Sequence, residues 1–84
     1  MEPWFVYIVE CSDNTLYTGV TNNVGQRIEK HNSRKGAKYT KSRIPVVLKA
    51  VWEYDSKSSA SKREYAIKQF SKQAKLSLIK ETKI

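Results

Sequence analysis

Residues 6–19, VYIVECSDNTLYTG, set the topology that the rest of the chain follows. The segment Trp4–Cys11 is almost continuously apolar and rich in β-branched and aromatic residues. Such a run predicts a strand that is covered on both faces and is therefore central in its sheet. Ser12-Asp13-Asn14 is typical of a tight turn, and Thr15–Val20 returns as a second strand. The stretch predicts an antiparallel hairpin with one tyrosine on each strand.

A third strand and three helices are predicted after the hairpin. Alternating apolar residues predict a strand over Val46–Tyr54 with one buried face. Capping residues and helical spacing predict helices from Asn22 or Asn23 to about His31 or Asn32, from about Ser59 to Phe70, and over roughly Lys72–Glu81 after Ser71. The order β-β-α-β-α-α predicts a single α+β domain over residues 1–84, a three-stranded antiparallel sheet with helices packed on it.

The composition favours a polyanion as the partner. Lysine and arginine number 16 against 8 aspartate and glutamate residues, a formal net charge of +8. This charge on 84 residues favours nucleic acid, although it does not separate DNA from RNA or binding from cutting. No apolar run reaches the roughly 20 residues that span a bilayer, so no membrane partner is expected. The lone Cys11 fits a reducing cytoplasm.

The first predicted helix carries two basic side chains on or beside its buried face. At about 100° per residue, Val24, Ile28 and His31 fall within roughly 60° of one another. Arg27 lies beside this stripe, with His31 as its neighbour at i+4. The face that packs on the sheet should therefore bring a guanidinium and an imidazole inward.

The second predicted helix carries an acid at a comparable position. Glu64 falls at the edge of the inner stripe, which consists of Ala60, Ile67 and Phe70. A carboxylate at such a border is costly unless it is paired or binds a metal. Glu64 is therefore a candidate metal ligand.

Each of these residues also has an ordinary structural explanation. His31 can be a core residue with satisfied hydrogen bonds, and Arg27 can extend its stem past Val24. Glu64 can pair with Lys68 at i+4 on a solvated face. The two tyrosines are good strand residues in any case. Their combination in a strongly basic domain is what favours phosphoryl chemistry.

At this point the sequence resembles the GIY-YIG nuclease superfamily. Val6-Tyr7-Ile8 and Tyr17-Thr18-Gly19 match its two signature tripeptides, and Arg27 and Glu64 match its helical arginine and metal-binding glutamate. Arg27–Asn32 followed by Gly36–Thr40 is especially similar to structure-specific nucleases that cut branched DNA, and to short stand-alone bacterial proteins. The sequence departs from the family at Val6, where glycine is usual, and has no equivalent near residues 73–80 of an asparagine that many members carry.

The resemblance implies a role for each candidate residue. Catalytic roles fall to Tyr7, Tyr17, Arg27 and His31, with Tyr7 or His31 receiving the proton of the attacking water. Glu64 is the expected ligand of a single Mg²⁺ or Mn²⁺ ion, weakly bound without substrate, and Gly19 allows close approach of the backbone. The residues expected to contact nucleic acid are Arg34, Lys35, Lys38, Tyr39, Thr40, Lys41 and Arg43.

The function implied is metal-dependent hydrolysis of phosphodiester bonds by a cytoplasmic, monomeric endonuclease acting on DNA rather than RNA. The alternative is a nucleic-acid-binding module with the same fold and little or no catalysis, which fits the charge equally well. An adaptor that recruits a protein through Trp4 and the last helix is a third, weaker hypothesis. Product formation that requires Mg²⁺ distinguishes the first two.

Overall fold

The computed structural model describes residues 2–82 and contains the six expected elements in the expected order. The α+β class and the three-stranded antiparallel sheet are confirmed. The second helix begins two residues earlier than predicted, because the Ser56 side chain accepts the backbone N–H of Ser59 and caps it there. The elements are β1 Trp4–Glu10, β2 Leu16–Thr21, α1 Val24–Asn32, β3 Val47–Tyr54, α2 Lys57–Lys68 and α3 Lys72–Glu81.

The hairpin forms as predicted, with β1 in the middle of the sheet order β2-β1-β3. Four consecutive residues of β1, Val6 to Val9, are buried, as expected for a strand covered on both faces. The turn is closed by Asp13, whose Oδ1 accepts from the backbone and the hydroxyl of Thr15. Asn14 takes the left-handed conformation, with φ of 68°, that asparagine tolerates better than most residues.

The prediction that β3 buries a single alternating face is wrong, because the strand contains a bulge. Ile8 pairs with Ala50 while Val9 pairs with Leu48, so Lys49 is an extra residue in β3. Side chains change faces across this irregularity. Leu48 packs on the side of Tyr7 and Val9, whereas Ala50, Trp52 and Tyr54 pack on the side of Val6 and Ile8.

The sheet therefore separates two apolar clusters. On one face, Ala60 and Ile67 of α2 are fully buried against Val6 and Ile8, and Leu78 and Ile79 of α3 pack around them. On the other face, Ile28 of α1 packs against a cluster built from Tyr7, Val9, Cys11 and Val46. The layers are thus α2 and α3, then the sheet, then α1 with the loop of residues 33–46. Arg27 and His31 of α1 face the sheet from this second side.

Each helix starts at a polar cap that the sequence supplies. Asn23, Ser56 and Ser71 accept the backbone N–H groups of Gln26, Ser59 and Ala74, each at 3.1 Å. The longest helix, α2, has 12 residues. No helix within residues 2–82 combines the length and apolarity needed to cross a membrane.

Candidate active site

Tyr7 lies beside Gly19, its antiparallel partner on β2. The Tyr7 side chain is 1% exposed, and a Cβ added to Gly19 would overlap the phenol, 2.5 Å from its Cζ atom. Sequence analysis expected Gly19 to permit a close approach. The group that makes this approach is the Tyr7 ring, so Gly19 fixes where the phenol lies. Any larger residue at position 19 would displace it.

A chain of hydrogen bonds connects Tyr7 through His31 to the loop. Tyr7 Oη lies 2.9 Å from His31 Nε2, and His31 Nδ1 lies 2.7 Å from Thr40 Oγ1. The Thr40 hydroxyl donates to the Ala37 carbonyl at 3.0 Å, so its oxygen is left to accept from Nδ1–H. This network assigns the proton of neutral His31 to Nδ1. Nε2 is then an acceptor, and the Tyr7 hydroxyl donates to it.

Burial determines the protonation of this pair. It lowers the pKa of His31, and the charge of Arg27 lowers it further. Burial raises the pKa of Tyr7, and the hydrogen bond and charge of Arg27 oppose this only in part, while Tyr17 and Glu64 add to the rise. The protein without ligands therefore holds a neutral phenol on a neutral imidazole. A raised pKa of the phenol, beside an imidazole nitrogen that accepts its hydrogen bond, favours sharing of the phenol proton with His31.

Arg27 reaches the same hydroxyl from one turn before His31 in α1. Its Nε donates to Tyr7 Oη at 3.4 Å, and its side chain is half-buried. The terminal amino groups of Arg27 make no hydrogen bond within residues 2–82. Arg27 also lines a cavity of about 200 Å³ together with Trp4, Gln26 and Lys30. A phosphate that enters there meets a guanidinium with free donors beside Tyr7.

Tyr17 joins the site through its ring. It meets His31 edge-on, with ring centroids 5.5 Å apart, and stacks on Tyr39 at 5.8 Å. The Arg43 guanidinium lies 4.0 Å from the centre of the Tyr39 ring and also donates to Asp13 and to the Tyr39 carbonyl. The aromatic contacts anchor the basic loop to the site. Tyr39 and Arg43 are therefore both engaged within the protein.

Glu64 lies at the border of α2, as predicted, with 23% of its side chain exposed. Its Oε2 is 3.5 Å from Lys68 Nζ, so the pairing considered as an ordinary explanation is present. No group of three or more His, Cys, Asp or Glu side chains that could hold a metal lies within residues 2–82. A single carboxylate fits Mg²⁺, which keeps several waters and takes the rest of its ligands from substrate phosphates. Glu64 fits that pattern.

The residues of the basic loop that were expected to contact nucleic acid differ in their exposure. Lys35, Lys38 and Lys41 are exposed, and so is Arg34, whose φ is 67°. The prediction that Thr40 contacts nucleic acid is wrong. This residue is fully buried and hydrogen-bonded to His31, so it cannot touch a nucleic acid in this conformation.

Two contributors to the site were missed by sequence reasoning. Gly36 lies against His31, and a Cβ there would come within 2.9 Å of the His31 Cα atom and overlap its ring. Lys68 pairs with Glu64, and its ammonium lies 5.6 Å from the centre of the Tyr17 ring. The loop's glycine was visible in the sequence, but no periodicity indicated that it packs on an imidazole. Lys68 was considered only as a surface partner of Glu64.

The family model of the GIY-YIG catalytic domain matches residues 3–77, which include every residue of this site. The chain belongs to the GIY-YIG family. A UPF0213 protein of Staphylococcus haemolyticus, SH2523, is 58% identical over 81 residues, covering 96% of this chain and 99% of that protein. A UPF0213 protein of Staphylococcus aureus is 57% identical with the same coverage.

Two solution NMR structures resemble this GIY-YIG domain. The UPF0213 protein BH0048 of Bacillus halodurans is 46% identical with a TM-score of 0.60, over 93% of this chain and 83% of that one. The protein EF2693 of E. faecalis is 30% identical with a TM-score of 0.65, over 96% and 86%. Membership supports a nuclease-like domain with nucleic acid as its partner, in a family whose nucleases generally depend on divalent metals.

Proposed function

We propose that this GIY-YIG domain is an Mg²⁺-dependent endonuclease that hydrolyses phosphodiester bonds of DNA. The observation that carries the proposal is the hydrogen-bond chain from Tyr7 through His31 and Thr40 to the Ala37 carbonyl. A buried neutral imidazole aimed at a buried phenol is costly to build for packing alone, since apolar side chains would fill the same space. It is well suited to moving a proton.

The proposed reaction uses Tyr7 as the general base and His31 as its proton acceptor. The phenol proton passes to His31 Nε2 as the Tyr7 oxygen takes a proton from the attacking water. The hydroxide forms a bond to phosphorus, the bond from phosphorus to the 3′ oxygen breaks, and the leaving 3′ oxygen takes a proton from solvent. Thr40 keeps His31 in the required tautomer throughout, because its oxygen accepts from Nδ1–H. The proton held by His31 is then released to solvent.

Arg27 meets the negative charge of the transition state. Its terminal amino groups donate to the non-bridging oxygens of the phosphate, beside the Tyr7 hydroxyl. Glu64 would hold a divalent ion, which would supply further positive charge for the phosphate. The Tyr17 ring contacts both His31 and Lys68 and so lies between them.

The exposed cations of the loop bind the flanking phosphates in this proposal. They are Arg34, Lys35, Lys38 and Lys41. Arg43 and Tyr39 act in the proposal by holding this loop on Tyr17. Their release to contact a strand directly would require breaking the Asp13 pair and the ring stack.

The test measures cleavage of single-stranded, duplex, flapped and branched DNA with Mg²⁺ and with EDTA. The parent should form product only with Mg²⁺. Tyr7→Phe should lose roughly 10²- to 10⁴-fold in rate, the usual contribution of a positioned general base. Tyr65→Phe is the matched control, because Tyr65 is 71% exposed on α2 and the same hydroxyl is removed.

Binding measured in EDTA separates the proposal from a module that only binds. Tyr7→Phe and Glu64→Gln should bind DNA like the parent and fail to cut it. If the parent binds every substrate but forms no product in Mg²⁺ or Mn²⁺, the non-catalytic alternative is correct. Cleavage by Glu64→Gln at the parent rate would contradict the metal assignment alone.

A further inference from the structure

Lys68 is the cation that the reaction above does not use, although it lies within the site. Its ammonium is 3.5 Å from Glu64 Oε2 and 5.6 Å from the centre of the Tyr17 ring. Lys68 therefore already occupies one oxygen of the carboxylate proposed to hold the metal ion. The Lys68 side chain is 44% exposed, so it can leave this position without disturbing the core.

The surroundings of Lys68 oppose the arrival of a further cation. Lys75 of α3 is close enough that the Lys68 charge helps to lower its pKa, after the larger effect of burial. Glu64 is the acidic partner of Lys68 within residues 2–82. A divalent ion that binds Glu64 must therefore displace an ammonium and tolerate a second one nearby.

We propose that Lys68 is a resident counter-ion of Glu64 that competes with the divalent metal and gives way when a nucleic-acid phosphate arrives. The proposal rests on the proposed function for the role of Glu64 as metal ligand. Without nucleic acid, the ammonium neutralises the carboxylate and keeps metal affinity low. When a phosphodiester enters, Lys68 exchanges the carboxylate for a phosphate oxygen and frees Glu64 for the ion. Metal binding thereby becomes coupled to substrate binding.

The experiment measures Mn²⁺ binding to the ¹⁵N-labelled protein without DNA, from paramagnetic broadening of backbone amides around Glu64. Lys68→Met should bind Mn²⁺ roughly three- to fivefold more tightly than the parent, the size expected for removing one partly exposed ion pair. Lys68→Arg keeps the charge and should behave like the parent. Lys62→Met is the matched control, since Lys62 is exposed on the same helix and the same net charge is lost.

A second titration adds a short single-stranded oligonucleotide to each variant. The oligonucleotide should strengthen Mn²⁺ binding to the parent and to Lys62→Met, and strengthen it less in Lys68→Met. Equal Mn²⁺ affinity of Lys68→Met and Lys62→Met, or no broadening near Glu64 in any variant, would overturn the proposal. A parent that shows the expected metal competition but never cleaves DNA would instead contradict the proposed function, so the two failures are distinguishable.

Discussion

His31 combines the two interpretations that its sequence position left open. It is fully buried with a partner for each ring nitrogen, which is the description of a satisfied core histidine. The same two partners give its nitrogens different roles, because Thr40 accepts a hydrogen bond from Nδ1–H and Tyr7 donates one to Nε2. Structural satisfaction and chemical function therefore do not exclude each other at this residue.

The pKa of His31 should lie below its ordinary value, and the free energy of unfolding of the domain should therefore depend on pH. Burial lowers its pKa in the folded state, so between about 6.5 and the folded pKa the unfolded chain binds more protons. Stability is complete above about pH 6.5 and falls as the pH drops through this window. The chain has one histidine, so its ring protons in an NMR titration give the folded pKa directly.

Urea unfolding of the parent and of His31→Gln between pH 7 and pH 5 provides the comparison. The variant should be less stable throughout and should lose less stability on acidification. The Asp13 carboxyl, whose pKa is lowered chiefly by its hydrogen bond from Thr15, contributes only at more acidic pH. A His31 pKa at or above 6.5 would contradict the assigned network.

The helix α1 and the strand β3 are joined by one amide side chain at the point where α1 ends. Asn32 Oδ1 accepts from the Val46 backbone N–H at 2.7 Å, and its Nδ2 donates to the Val46 carbonyl at 3.2 Å. The amide thus pairs with the backbone just before β3 begins, as a neighbouring strand would. This contact closes the loop that carries Thr40 and so helps to place the acceptor of His31.

Asn32→Ala should lower the free energy of unfolding by about 1–2 kcal/mol, the value of two partly exposed hydrogen bonds. Urea unfolding followed by tryptophan fluorescence measures it. Asn32→Asp retains the acceptor for Val46 N–H, so its free energy of unfolding should lie between those of the parent and Asn32→Ala. Asn22→Ala is the control, because Asn22 is exposed and its side chain makes no hydrogen bond within residues 2–82. A change below about 0.5 kcal/mol would show that the loop closes without this contact.

The molecule as a whole is larger than the distance over which its charges act at physiological salt. The Cα radius of gyration is 12.0 Å, while screening at physiological salt acts over about 8 Å. Cations at one end of the protein are therefore largely screened from a strand bound at the other. The net charge of +8 favours approach of a polyanion, but only the cations near the strand should add to specific affinity.

Binding of DNA in EDTA should weaken steeply with salt, and Lys35→Gln with Lys38→Gln should reduce that dependence. Loss of two phosphate contacts lowers the slope of log affinity against log salt by about 1.4–1.8. Lys62→Gln with Lys80→Gln removes the same charge from exposed positions on α2 and α3, and should leave the slope almost unchanged. Equal slopes for the two double variants would exclude the loop as the phosphate-binding surface.

Much of this domain follows from local chemistry. A continuous apolar run made β1 central, a turn with Asp13 and Asn14 closed the hairpin, and polar caps started the helices within two residues of prediction. These features depend on neighbours a few residues away, so periodicity and turn chemistry suffice to predict them. The family was found in a different way, from the resemblance carried by the two tripeptides, Arg27 and Glu64, and the family model over residues 3–77 confirms it.

The remaining features depend on contacts between segments that local patterns do not relate. The bulge at Lys49 redistributes β3 over two cores, because register is a property of paired strands and not of one strand. Tyr7 and His31 are 24 residues apart, and Thr40 lies in a loop without periodicity, so only the path of the folded chain joins them. The residue types suited to phosphoryl chemistry could be identified from the sequence. The tautomer of His31, the burial that raises the pKa of Tyr7 and the approach of Lys68 to the Tyr17 ring arise only when the three layers pack.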